Sequence, residues 1–311
     1  MADRFPRATD ATGLLLGDLP AGARVGDYVI KGPLATRGNG HLYDAVHLVL
    51  PRRATIKVLP GEQSVSAARA MSLLREACIV DALDHPGIPR IYECGVLPDR
   101  RPWIATEQIE GTSLAVTLAR GSISVAEVTT IVRDVADILD HAHRRGLVHR
   151  NVVPEAILRP DPERRFPLCL VDWSGARAHD STSPIPMFPP ASSRSYLAPE
   201  QLAGQATDGR ADVHALGMIA RELLRCARLG STPPVLVSLI QDMIDPNPSR
   251  RPTSHQVLDA TTWLAAQIDA DAIPREIDIK QTEPMSAPML RAVTSELAPV
   301  VAGEITQRTR S

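Results

Sequence analysis

The spacing of apolar residues changes character along this 311-residue chain. Between Asp27 and Ile109 it falls into short β-type runs: Y-V-I at 28–30, H-L-Y-D-A-V at 41–46, A-T-I-K-V-L at 54–59 and W-I-A-T-E-Q-I at 103–109. Two of these flank a Gly-containing turn, the pattern of an antiparallel hairpin. Residues 66–83 interrupt the runs by placing Ala70, Leu73, Leu74, Ala77 and Val80 on one helical face. From residue 124 helical spacing takes over. Ser124 and Glu127 form an S-x-x-E capping box, and Val128, Ile131, Val132, Val135, Leu139 and Ala142 follow at helical intervals. A strand, P-L-C-L-V at 167–171, then carries Asp172 out at its end. The first 26 residues mix Gly, Pro, Arg and Asp with few large apolar side chains, and periodicity fades after about residue 268. The pattern predicts mixed α+β content, β-rich with one main helix over residues 27–107 and mainly helical over residues 111–268. Flexible tails are expected at 1–26 and 269–311.

Composition narrows the function classes. A hydrophobic content of 44% is enough for a sizeable core. The formal charge of −2 leaves no basic footprint for nucleic acid, and 3% aromatics leave few stacking platforms for single strands. No apolar run approaches the roughly 18 to 20 residues that cross a bilayer, and Leu14-Leu15-Leu16 is too short for a signal peptide. A cytoplasmic location is expected. Cys78, Cys94, Cys169 and Cys226 are far apart and form no C-x-x-C pair, so reduced, mostly buried thiols are expected rather than a metal site.

The chemistry-bearing stretches come in a fixed order. A-T-R-G-N-G-H-L spans 35–42, A-T-I-K ends at Lys57, and L-L-R-E-A carries Glu76. D-H-P-G-I-P-R-I-Y follows at 84–92, L-V-H-R-N-V-V-P-E-A-I-L at 147–158 and D-W-S at 172–174. A-P-E falls at 198–200, R-A-D-V-H-A-L-G at 210–217 and D-P-N-P-S-R-R-P-T at 245–253. Each alone has an ordinary reading as a turn or a solvated charge. Together, over about 240 residues, they resemble the protein kinase superfamily, and bacterial eukaryotic-like Ser/Thr kinases in particular.

That resemblance implies a bilobal kinase fold hinged near residues 107–111. It implies a nucleotide cleft in which Lys57, held by Glu76, meets the phosphates under a loop keeping only Gly40 of its glycines. Asp172 is the metal-binding position. Glu107 and Ile109 would offer backbone groups to an adenine edge, Thr106 would guard the rear, and Leu34, Leu42 and Leu158 would supply apolar walls. ATP and Mg²⁺ are the cofactors implied. The resemblance also implies that Asp212 accepts N–H bonds from the backbone of the 147–158 loop and that Arg251 pairs with Glu200.

The same loop departs from the family where the reagents belong. Asn151 stands at the position of the base, Val153 at that of a phosphate-contacting Lys, and Ala156 at that of a metal-binding Asn. The expectation is a pseudokinase that acts by binding, with a protein partner such as another kinase or its substrate, and with weak or no phosphotransfer. Two alternatives stand beside it. One is a weakly active Ser/Thr kinase that uses Asn151 to orient a hydroxyl. The other is a binding module closed to nucleotide, which Ala35, Arg37 and Thr55 favour. The partner-facing stretches are expected at 173–195, rich in hydroxyls and proline, and at 269–311.

Overall fold

The computed structural model describes residues 19–37, 40–59, 77–78, 80–121, 123–162, 164–179, 191–227 and 232–272. The contacts place the chain up to Ile268 in one unit. Its N-terminal part is an antiparallel sheet in the order β1-β2-β3-β4-β6-β5. The strands are β1 (Arg24–Val25), β2 (Tyr28–Arg37), β3 (Gly40–His47), β4 (Arg53–Val58), β5 (Ile91–Val96) and β6 (Pro102–Glu107). Alternation along these strands assigns their two faces. Tyr28, Ile30, Tyr43, Ala45, Ile56, Val58 and Trp103 pack into one cluster on one side. Leu59, Ala77 and Ile104 pack on the other, where the helical residues around Ala77–Val80 lie.

The C-terminal part is mainly helical. Its central members are α2 (Val125–His143) and α4 (Arg210–Cys226), with the short α3 (Pro199–Leu202) between them in sequence, preceded by α1 (Leu114–Arg120) and followed by α5 (Pro234–Met243) and α6 (Ser254–Ala272). The capping box at Ser124 forms in both directions: Glu127 N donates to Ser124 Oγ at 3.1 Å, and Ser124 N donates to Glu127 Oε2 at 2.9 Å. Such a cap stabilises a helix by about 1 kcal/mol. The six apolar residues expected on the α2 face are all buried in the main core, with Leu216 and Ile219 of α4. Short strands β7 (Gly111–Ser113), β9 (Ile157–Pro160) and β10 (Cys169–Leu170) form a small sheet beside the junction of the two parts, and β8 (Leu147–Val148) pairs with β11 (Arg177–Ala178).

The 84–92 turn ties the two parts together. Leu170 N donates to Gly87 O at 2.8 Å, and a Cβ on Gly87 would lie 2.7 Å from Ile138 Cδ1 on α2. Only glycine permits that approach.

Three expectations need correction. The tail does not extend to residue 26: Leu19 N donates to Tyr43 Oη at 3.1 Å, and β1 pairs with β2 and buries Val25 completely. A two-residue strand is too short to show a period. The 167–171 strand shrinks to Cys169–Leu170. The thiols are not mostly buried, since Cys78 and Cys94 are exposed, while Cys169 is buried and Cys226 half-buried.

Candidate functional site

Strand alternation places the central cation. On β4, Ala54, Ile56 and Val58 turn into the outer cluster, so Thr55 and Lys57 face the junction with the helical part. Lys57 lies between Leu42 of β3 and Ile104 of β6 in the sheet register and is only 7% exposed. Its Nζ lies 3.2 Å from Oδ1 of Asp172, which follows β10. Asp172 holds a left-handed backbone, φ 63° and ψ 59°, which aims its carboxylate back towards the sheet. Two oppositely charged groups 115 residues apart thus meet in a nearly dry environment.

They lie at one end of a cavity of about 500 Å³. Leu34, Leu42, Leu158 and Val171 form apolar walls; Val80, Ile91, Ile104 and Thr106 line the rear; Glu107 and Ile109 form the connecting edge. Of the residues assigned to this cleft from sequence, Leu34, Leu42, Lys57, Glu107, Ile109, Leu158 and Asp172 line it together. Thr55 also lines it, and Thr106 Oγ1 donates to Thr55 O at 3.3 Å, which fixes the rear wall. Gly40 does not line the cavity. A Cβ there would lie 3.1 Å from Lys57 Cγ, so its missing side chain accommodates the lysine stem. Glu76 lies outside the described residues, as do 180–190 of the hydroxyl-rich segment; Ser193 is buried and Ser195 exposed.

Sequence reasoning missed two features of the cleft. The Glu107 carboxylate is held by Arg164, at 2.9 Å from Nη1 and 3.0 Å from Nη2, and it accepts Arg90 N at 3.3 Å. This clasp joins residues 57 positions apart, and no local motif announces it. The second feature is the outer lip, where Thr112, Ser113, Val116 and Arg120 line the cavity. Helical spacing past the hinge was the one signal available for Arg120.

Behind the cleft, Asp212 organises the 147–158 loop. It accepts His149 N at 2.8 Å, Arg150 N at 2.6 Å and the His143 ring Nε2 at 2.9 Å. Burial would raise this carboxyl, but the hydrogen bond and charge of His143, with His149, hold it below the usual range. Arg150 takes a positive φ of 68°, so the loop backbone is strained and needs these bonds. His149 is fully buried against Trp173, ring centroids 4.6 Å apart, and desolvation depresses its pKa. Trp173 Nε1 donates to Leu170 O at 2.9 Å. The tryptophan therefore joins the loop, the Asp172 turn and, through the shared core, Val80.

The three departing positions sit apart from the cavity lining. Val153 and Ala156 are buried in the main core, and Asn151 Oδ1 is buried without a hydrogen-bond partner. Below them Arg251 forms a two-pronged pair with Glu200, Nη1 to Oε1 at 2.6 Å and Nη2 to Oε2 at 2.8 Å, and both residues are buried.

A cavity of this size, apolar on its walls and charged at one end, suits a flat ring carrying an anionic tail. Among the described residues no cluster of three or more His, Cys, Asp or Glu could hold a metal. The single carboxylate of Asp172 fits a Mg²⁺ ion whose remaining ligands are phosphate oxygens and water.

The fold and the cleft define a class: a two-lobed kinase-like scaffold whose lysine and aspartate meet between the lobes. A family profile described as protein kinase domain matches residues 36–231. The chain belongs to the protein kinase family. It is 33% identical over 211 residues to the serine/threonine-protein kinase PknJ of Mycobacterium tuberculosis, covering 67% of this chain and 35% of PknJ. It is 36% identical over 220 residues to PknF of the same organism, covering 66% of this chain and 44% of PknF. The chain thus spans less than half the length of these relatives. The crystal structure of the M. tuberculosis PknI kinase domain superposes with a TM-score of 0.63 at 27% identity, over 80% of this chain and all of that one. The expected kinase-like α+β fold is borne out, and so is the resemblance to bacterial Ser/Thr kinases.

Proposed function

We propose that this chain is a pseudokinase of the Ser/Thr type that binds ATP in the Lys57–Asp172 cleft and acts through a protein partner. The observation that carries the reading is the loop around Asn151. Its backbone is held by Asp212, yet the positions of base, phosphate-contacting cation and second metal ligand hold Asn151, Val153 and Ala156. An amide can orient a hydroxyl but cannot take its proton, and general-base catalysis contributes about 10²- to 10⁴-fold. Without Lys at 153 the transferring phosphate loses a cation, and without Asn at 156 a metal loses a ligand. Mg²⁺ would be held by Asp172 and by the nucleotide's own oxygens.

A second reading, a weakly active Ser/Thr kinase, is favoured by the Lys57–Asp172 contact and the open 500 Å³ cleft. Both features also speak against a module closed to nucleotide. Incubation with labelled ATP and Mg²⁺, using the chain itself and generic protein substrates, separates the two. Background incorporation is expected. Robust incorporation that Lys57→Ala abolishes would replace the pseudokinase reading with the weak kinase. The partner is expected to be a protein, another kinase or its substrate, recognised through the 173–195 and 269–311 stretches.

A further inference from the structure

The outer lip of the cleft has a charge arrangement that ATP binding does not use. Among the described residues, four charged side chains line the cavity: Lys57, Asp172, Glu107 and Arg120. Lys57 is paired with Asp172 at 3.2 Å, and Glu107 is held by Arg164 at 2.9 Å. Arg120, exposed on the last turn of α1, makes no ion pair among the described residues. Nor is its guanidinium needed to finish the helix, since Gly121 N already donates to Leu118 O at 3.2 Å and Thr117 O at 3.3 Å. Beside it, Ser113 occupies the N-cap position without using its hydroxyl as a cap, and Thr112 adds a second hydroxyl.

A nucleotide with its base at Glu107–Ile109 and its 5′ phosphates at Lys57 leaves Thr112 and Ser113, at the start of α1, as the lining hydroxyls for the ribose, with Arg120 further along that helix. Dinucleotide-binding folds hold an unmodified ribose 2′-OH with a carboxylate and accommodate a 2′-phosphate with an arginine. Among the described residues of this lip, 111–120, an arginine lines the cavity and no carboxylate does. We propose that the cleft takes a nucleotide phosphorylated on its ribose, with Arg120 holding that phosphate and Thr112 and Ser113 bonding to its oxygens. The proposal rests on the nucleotide reading of the cleft and names the class of nucleotide. A guanidinium binds phosphate through two parallel charge-assisted bonds, and exposure limits the gain to about three- to tenfold.

The test is calorimetry on the full chain with ADP, AMP, adenosine 3′,5′-bisphosphate and adenosine 2′,5′-bisphosphate. At least one bisphosphate should bind threefold or more tightly than AMP, and Arg120→Ala should bring it down to the AMP level, while Arg120→Lys retains part of the gain. If ADP binds but neither bisphosphate exceeds AMP, or if Arg120→Ala leaves the preference intact, the assignment is overturned and the nucleotide reading stands. If ADP itself does not bind, the nucleotide reading falls and takes the assignment with it.

Discussion

The contact between Lys57 and Asp172 makes opposite predictions for nucleotide binding with and without metal. At 3.2 Å and about one-tenth exposed, the pair is satisfied before any phosphate arrives. A metal-free polyphosphate must compete with Asp172 for the lysine and also meets its negative charge. Two unit charges roughly 5 Å apart interact by about 3 kcal/mol at an effective dielectric near 20. Residual water and counter-ions reduce this to about 1 kcal/mol, roughly fivefold in affinity. Asp172→Asn should therefore tighten ATP binding about fivefold in EDTA. In millimolar Mg²⁺ the same variant should weaken it, because the metal loses its protein carboxylate. Lys57→Met should weaken binding in both conditions, by about 10- to 150-fold if one charge-assisted hydrogen bond worth about 1.5–3 kcal/mol is lost. Titration calorimetry in matched buffers reads all four combinations. If Asp172→Asn weakens binding equally in EDTA and in Mg²⁺, the pair does not compete with phosphate and the reasoning fails.

Two further outcomes concern the frame. Arg251→Ala should destabilise the protein by about 3–5 kcal/mol, since it leaves Glu200 buried and removes the Arg251 Nε donation to Asp245 O at 2.7 Å; a urea-midpoint shift equivalent to less than 1 kcal/mol would contradict this. Acidification should destabilise as well: burial lowers the folded-state pKa of His149, His85 and His214, so below about pH 6.5 the unfolded chain binds protons first and each group removes up to about 1.4 kcal/mol per pH unit until its folded pKa is reached. A melting temperature that stays level or rises between pH 7 and pH 5 would count against the buried, neutral histidines.

The legible part of the site was the part written in contiguous residues. Lys57, Asp172 and Asp212 were legible through A-T-I-K, D-W-S and R-A-D-V-H-A-L-G, the stretches that resemble the kinase family. Arg251 and Glu200 were each marked by a local motif, and their pairing follows once the fold is known. The Arg164 clasp on Glu107 was not legible, because it depends on how a loop after β9 approaches the hinge rather than on any local pattern. Arg120 was invisible for a related reason: nothing in residues 114–120 read alone says that the last turn of α1 borders a cavity. Gly40 adds something the sequence did not show: the space left by its missing side chain is taken by the Lys57 stem.

The three altered loop positions differ in what they do to the fold. Val153 and Ala156 are 7% and 1% exposed and share the main core with α2 and α4. A lysine and an asparagine there would need partners for their polar ends, and an unpartnered buried polar group costs about 1–3 kcal/mol. Their replacement by apolar side chains removes that requirement and packs the loop against the helices. Asn151 is different, because it leaves Oδ1 buried and unsatisfied beside a backbone that Asp212 holds rigid. Two of the changes thus reinforce the scaffold, and the third leaves an acceptor that a hydroxyl could fill but that cannot carry off its proton. Restoring Asp, Lys and Asn together would reverse the packing gain along with the chemical loss. On the pseudokinase reading proposed above, stability of the loop and competence for phosphotransfer pull in opposite directions, and the apolar side chains at 153 and 156 favour stability.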